Sequence, residues 1–448
     1  MGKYFGTDGI RGVANKDLTP ELAYRAGRSA AYKLKDEENK LVVIGKDTRL
    51  SGDMLEAALI AGLNSMGFDV YRLGVIPTPA VAYLTRYFKA ASGIVISASH
   101  NPGEFNGIKF FGNNGFKLPD EVEDDIEKLI DGNEIDDFRP IAGEIGIVKD
   151  IENSIELYSD FLKSRVKMDL SGYKVALDCG NGATYKIAGN LFKAFGASVV
   201  VVNTEPDGLN INKKCGSTNV EVIKDLVVKE KANLGFSFDG DGDRVIAVDE
   251  EGNEMDGDHI IAACTNHLLS QGKLRNNGVV GTVMTNIGFD EYMKTIGVDV
   301  YKASVGDRYV LEKMVEQDFV IGGEQSGHII FIDDNTTGDG MLTALKLSES
   351  MIDSNKKLSD LNKLMTTYPQ VLINAKVDNS YKKEYLNDEV IKEEIEKLEK
   401  AFAGEGRVLI RPSGTEPLIR VMIEGKDQDK LEKAARELAD LIEERSTK

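Results

Sequence analysis

The residues with the clearest chemical potential lie in Asp239–Arg244, where three aspartates alternate with two glycines and an arginine ends the run. Short apolar segments, Leu234–Phe238 and Val245–Val248, flank this run and are typical of buried strands. The aspartates therefore lie on a tight loop between strands, where residues two apart can point the same way. Carboxylates this close together repel one another unless a cation neutralises them. Oxygen-only ligation in this small number favours Mg²⁺, which keeps its other positions for water or phosphate.

Two alternatives compete with a magnesium site. A calcium loop of the EF-hand type would use the same spacing of aspartates, and Glu250 falls at the twelfth position of such a loop. Against that, Arg244 takes the sixth position, where the sharp turn requires glycine, and strands rather than helices flank the run. The other alternative is a solvated acidic turn. A functional divalent-metal site is the better interpretation.

A second group of polar residues follows a buried strand in Gly93–Pro102, where Ser97, Ser99 and His100 come in quick succession. The carboxyl end of a strand is where ligands of open α/β sheets bind. A serine beside a histidine could be a nucleophile with a proton partner, or both serines could cap the backbone of an ordinary turn. Lys109 follows at once and supplies a cation.

The N-terminal stretch Phe5–Gly12 has three glycines around Arg11. This arrangement suits a backbone wrapped against an anion, although a flexible arm would have the same composition.

Another glycine-rich loop, Gly322–His328, follows the apolar segment Phe319–Ile321. It holds Glu324, Ser326 and His328 between glycines, and these groups could bind sugar hydroxyls. The alternative is a glycine turn with a solvated glutamate.

The strand-loop-strand segment Arg411–Pro417 has the groups that a phosphate dianion needs, namely bidentate guanidinium groups, hydroxyls and a backbone amide. These groups come from Arg411, Ser413, Gly414, Thr415 and, just beyond the loop, Arg420.

The elements that must position these motifs follow a repeated plan. Three times a glycine ends an amphipathic helix and a strand follows, at Gly67, Gly196 and Gly297. Strands that alternate with helices indicate βαβ units and mostly parallel sheets. The repetition predicts three related α/β domains, with boundaries in the polar stretches Gly143–Glu152 and Asp249–Asp256.

The last part of the chain has a different pattern and predicts a smaller α+β domain after a linker at Thr366–Pro369. Its elements are predicted as strands Val371–Val377, Val408–Ile410 and Leu418–Ile423, a long charged helix Tyr381–Phe402 and a closing helix from Asp427 to about Arg445. The predicted domains are 1–150 with the serine loop, 151–252 with the acidic loop, 253–368 with the Glu324 loop, and 369–448 with the arginines.

The composition is typical of a soluble globular protein rather than a nucleic-acid or membrane protein. The chain has 448 residues, enough for three or four domains, and a net charge of −19, which argues against nucleic acid and anionic membranes as partners. An anionic substrate must then be attracted by local cations. Three cysteines without metal-binding spacing indicate a reduced, intracellular setting, and no segment is typical of a signal peptide or a membrane span.

Together the four motifs resemble those of the α-D-phosphohexomutase superfamily, in the same order and with similar spacing over the whole chain. The resemblance implies a heart-shaped molecule of three related mixed α/β domains and a smaller C-terminal domain around a central cleft. It also implies a cytoplasmic enzyme that acts on a sugar phosphate and forms a homodimer in some members.

The resemblance assigns roles to the motif residues. It makes Ser99 the residue that carries phosphate, and Asp239, Asp241 and Asp243 the ligands of one Mg²⁺, with an oxygen on Ser99 as the fourth ligand. The other implied residues are Arg11, Lys109 and Arg244 around the transferring phosphoryl group, Glu324 and Ser326 at the sugar with His328 beside them, and Arg411, Ser413, Gly414, Thr415 and Arg420 at the distant phosphate. His100, Lys109 and His328 are candidates for the general base, and the sequence does not rank them.

The implied reaction moves a phosphoryl group between two hydroxyls of one hexose. A phosphate monoester is so inert that its hydrolysis can require accelerations of ~10²¹, so a carrier that gives and takes phosphate is expected, with a sugar bisphosphate as intermediate or activator. At Gln325 the chain resembles the branch of the family that acts on glucosamine phosphates, since relatives that act on mannose or glucose phosphates often carry methionine there. A mutase for mannose or glucose phosphates and a non-catalytic metal- or sugar-binding protein are the alternatives.

Overall fold

The computed structural model describes residues 2–6, 8–403, 406–413 and 417–446, and this part of the chain divides into two compact units. The first unit comprises residues 1–284 and 297–364, and the second comprises 285–296 and 365–448.

The first sheet of the first unit has the strand order β1-β2-β6-β5-β3-β4-β7. Its strands are β1 (Phe5–Gly6), β2 (Gly9–Val13), β3 (Leu41–Lys46), β4 (Asp69–Val75), β5 (Ser92–Ile96), β6 (Phe105–Gly112) and β7 (Val148–Asp150). The helices of this region are α1 (Pro20–Lys33), α2 (Gly52–Asn64), α3 (Thr78–Tyr87) and α4 (Asp120–Asp131). Thr19 caps α1 by accepting from the Leu22 amide, and Pro20 takes the first helical position; both residue types are favoured at these places.

The second sheet has the order β12-β11-β10-β8-β9. Its elements are α5 (Ser154–Arg165), β8 (Lys174–Asp178), α6 (Ala188–Ala194), β9 (Ser198–Val202), α7 (Glu221–Glu230), β10 (Leu234–Phe238), β11 (Val245–Asp249) and β12 (Glu254–Met255). The polar stretch at the predicted boundary near 252 is the turn of the β11–β12 hairpin.

The third sheet has the order β14-β13-β15-β16. The elements that follow in the chain are α8 (Gly257–Ser270), β13 (Gly278–Thr282), α9 (Ile287–Thr295), β14 (Asp299–Ala303), α10 (Asp307–Gln317), β15 (Ile321–Gly323), β16 (Ile329–Phe331), α11 (Gly340–Ser354) and α12 (Leu358–Asn362). Of these, α9 belongs to the second unit.

The second unit contains the sheet β17-β19-β18, which is antiparallel throughout. Its further elements are β17 (Gln370–Lys376), α13 (Glu389–Phe402), β18 (Gly406–Pro412), β19 (Leu418–Gly425) and α14 (Gln428–Ser446). The predicted helix Tyr381–Phe402 is wrong in its first turns. Residues 381–383 and 385–387 form 3₁₀ turns, and the α-helix begins only at Glu389, because the Asp388 carboxylate accepts from the amides of Val390 and Ile391 and caps it there.

The three repeated junctions are confirmed. Gly67, Gly196 and Gly297 all have a left-handed backbone, with φ of 84°, 89° and 70°, where each helix ends and a strand follows. At Gly297 a Cβ would have no described atom within 4 Å, so the backbone angle itself is the reason for glycine.

The expectation of mostly parallel sheets is correct for only part of each sheet. In the first sheet β5, β3, β4 and β7 run parallel, whereas the pairs β5–β6, β2–β6 and β1–β2 are antiparallel. The second and third sheets likewise have parallel strands first and end in antiparallel hairpins, β10–β11 and β15–β16. The serine, aspartate and Glu324 motifs lie in the loops of these hairpins. Such a loop is too short to contain the crossover helix that two parallel strands need, so the strands on either side of it are antiparallel.

The predicted linker Thr366–Pro369 packs within the second unit. The Asn286 side chain accepts from the Tyr368 amide at 3.1 Å and donates to the Tyr368 carbonyl at 2.9 Å. The chain passes between the units at three places, near residues 284, 296 and 364. Every helix in the described part of the chain is too short or too polar to span a bilayer.

Candidate active site

Three hairpin loops of the first unit come together. The β5–β6 loop carries the serines, the β10–β11 loop the aspartates, and the β15–β16 loop Glu324 to His328. Gly240 lies so close to the Ser99 carbonyl that a Cβ there would be 2.6 Å from the oxygen. Arg244 in turn forms an isolated antiparallel bridge with His328. The three motifs therefore meet at one place although they are far apart in the sequence.

Ser99 is buried, and its hydroxyl donates to Oδ2 of Asp239 at 2.6 Å. Its φ of 51° lies in the left-handed region, which is uncommon for a serine and indicates a backbone that its surroundings hold in place. Ser97 has a different partner. Its hydroxyl accepts from the Ser99 amide at 2.9 Å and donates to Asp47 at 2.6 Å. Of the two serines, Ser99 alone directs its hydroxyl to the aspartates.

Arg49, which belongs to none of the predicted motifs, holds the backbone of the serine loop. This buried guanidinium donates to the carbonyls of Ser99 at 2.9 Å and Asn101 at 2.8 Å. It also forms a salt bridge with Asp47 at 2.8 Å, and both side chains are fully buried. Burial raises the pKa of the Asp47 carboxyl, although Arg49 opposes this. Asp47 and Arg49 directly follow β3, so the rule that polar residues at the carboxyl end of a strand line a site could have found them.

The three aspartates form a compact, buried cluster. One oxygen from each of Asp239, Asp241 and Asp243 lies within 4.8 Å of the others. Among the described residues, Oδ1 of Asp241 and Oδ1 of Asp243 are buried and have no hydrogen-bond partner. A buried carboxylate oxygen without a partner is costly, so these oxygens fit a cation.

Both alternative interpretations of the acidic run are wrong. The aspartates are buried rather than solvated. Glu250 does not face them, since its carboxylate accepts from the amide of Ser359 at 3.1 Å and from its hydroxyl at 2.7 Å. The flanking strands β10 and β11 also exclude an EF-hand, which requires helices.

Charge is distributed unevenly over the cluster. Burial raises the pKa of Asp239 well above its usual value, and repulsion from Asp243 and Asp241 adds to the shift. Burial acts in the same direction on Asp241, but the ammonium of Lys109, 2.9 Å away, outweighs it and lowers the Asp241 pKa. Thr78 supports the ionised form by donating to the same oxygen at 2.7 Å. The site thus favours a bound positive charge next to Asp239.

Two arginines, Arg11 and Arg244, lie close enough to His100, the residue after Ser99, for their charges to act on its imidazole. Arg11 and Arg244 each have a buried Nε that lacks a hydrogen-bond partner among the described residues. Burial, followed by the charges of Arg244 and Arg11, lowers the pKa of His100 to about 4. The imidazole of His100 is therefore neutral near pH 7, with Nδ1 3.5 Å from the Ser99 hydroxyl. The unpartnered Nε donors of Arg11 and Arg244 fit an anion.

The other two candidates for the general base have partners already. Lys109 is buried between Asp241 at 2.9 Å and Asp8 at 3.1 Å, and these carboxylates raise its pKa against the effect of burial. His328 uses Nε2 to accept from the Gly338 amide at 3.1 Å. Its Nδ1 lies 3.6 Å from Asp243.

The Glu324 loop forms a tight turn. Gly327 donates its amide to the Glu324 carbonyl and has a φ of 87°, and a Cβ there would lie 2.1 Å from the Val245 carbonyl. Glu324 is partly buried and accepts from the Gly306 amide at 3.0 Å, whereas Ser326 is exposed. The Gln325 side chain donates to Asp256 at 3.1 Å, so its amide is held at the start of α8.

In the second unit, Arg411 and Arg420 lie directly opposite each other on β18 and β19. Directly opposite residues share one face of an antiparallel pair, and like charges there repel each other unless an anion is close. Ser413 is buried and its amide donates to the Leu418 carbonyl at 2.9 Å. Gly414 and Thr415 lie outside the described residues.

Comparisons with known proteins agree with this geometry. Residues 2–136, 156–252 and 256–368 match the phosphoglucomutase/phosphomannomutase alpha/beta/alpha domains I, II and III, and residues 372–441 match the C-terminal domain. The phosphoglucosamine mutase of Finegoldia magna is 64% identical over 445 residues, which cover 99% of each chain. The phosphoglucosamine mutase of Alkaliphilus oremlandii is 60% identical over 447 residues, 99% of this chain and 100% of the relative.

This chain belongs to the phosphoglucosamine mutases. As a member of that family it is an isomerase of the phosphomutase type.

Solved structures support the phosphohexomutase fold. A phosphoglucomutase/phosphomannomutase family protein from Burkholderia thailandensis has a TM-score of 0.79 at 25% identity and covers 97% of both chains. An N-acetylphosphoglucosamine mutase from Aspergillus fumigatus, 18% identical, has a TM-score of 0.69 and covers 99% of this chain and 96% of that one, which shows the fold alone.

Proposed function

We propose that this phosphoglucosamine mutase interconverts glucosamine 6-phosphate and glucosamine 1-phosphate through a phosphoserine at Ser99. The relatives named above support the amino sugar as substrate. The observation that carries the proposal is the buried Ser99 hydroxyl, which donates to Asp239 inside a cluster of three carboxylates. A serine at this place can hold a phosphoryl group between a cation and the guanidinium groups.

The proposed reaction has two phosphoryl transfers. First, O1 of glucosamine 6-phosphate gives its proton to a base and attacks the phosphorus on Ser99; the bond from phosphorus to the serine oxygen breaks, and that oxygen takes up a proton. The product is glucosamine 1,6-bisphosphate. After the bisphosphate has turned around, the Ser99 hydroxyl gives its proton to the base and attacks the phosphorus at position 6. The bond from phosphorus to O6 breaks, O6 takes up a proton, and glucosamine 1-phosphate leaves with Ser99 phosphorylated again.

Asp239, Asp241 and Asp243 would hold the Mg²⁺, which when bound supplies positive charge to the transferring phosphoryl group. The two buried carboxylate oxygens without a partner support this assignment. A solved structure of the same fold, the Aspergillus fumigatus enzyme, is a complex with GlcNAc-6P and magnesium. A phosphoserine carries a charge of about −1.5 to −2, so the phosphorylated state and the cation should stabilise each other.

Among the three candidates for the base, we favour His100. Its imidazole is neutral and faces the Ser99 hydroxyl, whereas Lys109 is held as an ammonium and His328 has its Nε2 occupied. A loose transition state needs little proton transfer at the moment of attack, so a weak base suffices.

The remaining groups would bind the rest of the sugar phosphate. Glu324 and Ser326 lie on the loop assigned to the sugar, and Arg411 and Arg420 form the pair assigned to the phosphate that is not reacting. With these roles the chain would work as four parts, 1–150, 151–252, 253–368 and 369–448. A homodimer and a cytoplasmic location, which the resemblance also implies, stay predictions.

The decisive experiment is intact-mass measurement of the purified protein before and after incubation with glucosamine 6-phosphate, combined with turnover assays. The parent and Ser97→Ala should carry one phosphate, and Ser99→Ala should carry none and have no turnover. Full activity in Ser99→Ala would overturn the proposal. Parallel kinetics with glucose and mannose 6-phosphates would test the alternative substrates.

A further inference from the structure

A buried chain of alternating charges joins the metal side of the site to the Glu324 loop. Its central member is Lys117, whose ammonium contacts the carboxylates of both Asp8 and Asp307. Asp8 lies in the turn between β1 and β2, Lys117 follows β6, and Asp307 is the first residue of α10. All three side chains are largely buried, with 21%, 13% and 16% of their surface exposed.

On one side, this chain of charges reaches the aspartate cluster beside Ser99. Asp8 contacts Arg11 and lies 3.1 Å from the ammonium of Lys109. Lys109 then reaches Asp241 at 2.9 Å and Asp243 at 3.6 Å. Asp8 is therefore held by two cations, of which Lys109 also pairs with the aspartate cluster.

On the other side, this chain of charges reaches the Glu324 loop. Asp307 lies 3.6 Å from Nε2 of His328. The amide of Gly306, the residue before it, donates to the carboxylate of Glu324 at 3.0 Å. The N-terminus of α10 therefore holds Glu324 through the backbone and contacts Lys117 through the side chain of Asp307.

We propose that Lys117 is a positioning residue that fixes the Glu324 loop relative to the phosphorylated serine. It contacts neither the serine nor the aspartate cluster directly, and this role rests on the function proposed above for Ser99. Without the ammonium, Asp8 and Asp307 are two buried carboxylates that repel each other. Because Asp8 stays paired with Arg11 and Lys109, Asp307 is the carboxylate that would move away, and the start of α10 would move together with Gly306 and Glu324.

The charges that act on Asp307 and Lys117 show why the ammonium is needed. The charge of Asp8 works against ionisation of Asp307, and Lys117 is the largest favourable charge on Asp307. The pKa of Lys117 is raised by Asp307 and Asp8 although burial opposes it, so its ammonium persists at neutral pH. A neutral residue of similar length at position 117 therefore breaks both contacts.

The test compares Lys117→Met and Lys117→Arg with the parent. Lys128→Met is the matched control, because Lys128 forms an exposed ion pair with Asp125. For Lys117→Met we expect kcat/KM for glucosamine 6-phosphate to fall at least ~10-fold, mainly through KM, because the sugar loop is misplaced. Lys117→Arg should recover most of this loss, and Lys128→Met should match the parent.

Two further measurements separate positioning from a general loss of structure. The affinity for Mg²⁺ alone, measured by calorimetry, and the rate at which Ser99 loses its phosphate to water without sugar should both stay within about twofold of the parent. Parent-like kcat/KM in Lys117→Met would overturn the inference. So would a failure of Lys117→Arg to recover activity while Mg²⁺ affinity falls as well. If the parent itself carries no phosphate on Ser99, the proposed function fails rather than the role of Lys117.

Asp307→Asn is a second variant for the case that Lys117→Met does not fold. It removes the ion pair that ties the start of α10 to Lys117 and leaves the pair of Lys117 with Asp8, so α10 loses its tether although no repulsion is added. The expected change is again a higher KM with phosphate retained on Ser99, and an unchanged KM would contradict the inference.

Discussion

At the scale of single residues, the site depends on buried groups that hold the reactive ones. Arg49 is the clearest case, since its guanidinium binds two carbonyls of the serine loop and the carboxylate of Asp47. A planar guanidinium with several fixed donors can do this, and a lysine cannot. The left-handed backbone of Ser99 is the conformation that these contacts maintain.

The first prediction concerns Arg49→Met. This change leaves Asp47 buried without its partner, and removal of one member of a buried pair costs about 3–5 kcal/mol. We expect the free energy of unfolding of the first unit to fall by that amount in urea titrations. Arg49→Lys should lose less because it can keep the pair with Asp47. A loss below about 1 kcal/mol in Arg49→Met would show that the loop does not need the guanidinium.

The second prediction concerns the three cysteines, Cys179, Cys215 and Cys264. All three are buried, and none forms a disulfide. Burial raises the pKa of each thiol to about 12. At pH 8 a group with this pKa is a thiolate in only ~10⁻⁴ of molecules, and the thiolate is the reactive form. Titration with a disulfide reagent should detect no thiol in the native protein and three after denaturation. Rapid native labelling of any one would contradict the burial.

At the scale of elements, the hairpins determine where the chemistry occurs. Each α/β sheet contains an antiparallel hairpin whose loop carries one motif. α11 then braces the aspartate loop, since the Gly340 amide donates to the Gly242 carbonyl at 3.0 Å. A Cβ on Gly340 would lie 2.5 Å from the Arg244 carbonyl, a backbone atom that cannot swing aside.

The third prediction is therefore that Gly340→Ala displaces α11 from the aspartate loop and lowers Mg²⁺ affinity at least ~10-fold, measured by calorimetry. Gly52→Ala is the matched control, because Gly52 also begins a helix but faces only the flexible end of the Lys46 side chain, at 3.3 Å. Unchanged Mg²⁺ affinity in Gly340→Ala would show that the loop does not depend on the helix.

The sequence predicts the elements better than it predicts their pairing. The three glycine junctions and the cap of α1 follow from local rules, because a left-handed backbone and an N-cap each need a particular residue type. Local rules also predict Ser99 and the aspartates as polar residues after strands. Local rules do not predict the charged residues that hold the site together, because their roles arise only from contacts with residues far away in the sequence. These residues are Arg49, Asp8, Lys117 and Asp307. The helix start at Glu389 was missed because Asp388, inside a charged run, is the cap.

At the scale of the whole molecule, the second unit is completed by a segment from the middle of the chain. The fully buried Glu424 accepts from the Ile287 amide of α9 at 2.9 Å and from Arg407 at 2.6 Å. The core of this unit includes Ile423, Leu431 and Leu438. A unit with its own core is expected to unfold cooperatively by itself.

The fourth prediction follows from this division. Calorimetry of the full chain should resolve two unfolding transitions, since each unit has a core of its own. Glu424→Ala leaves the Arg407 guanidinium and the Ile287 amide without their carboxylate and should cost about 2 kcal/mol or more. For a unit of this size that corresponds to a fall of roughly 8 °C or more in one transition, and the other should not move. Leu59→Ala, in the core of the first sheet, should move the other transition instead. If both variants shift one common transition, the two units unfold together, and the second unit is not a separate cooperative unit.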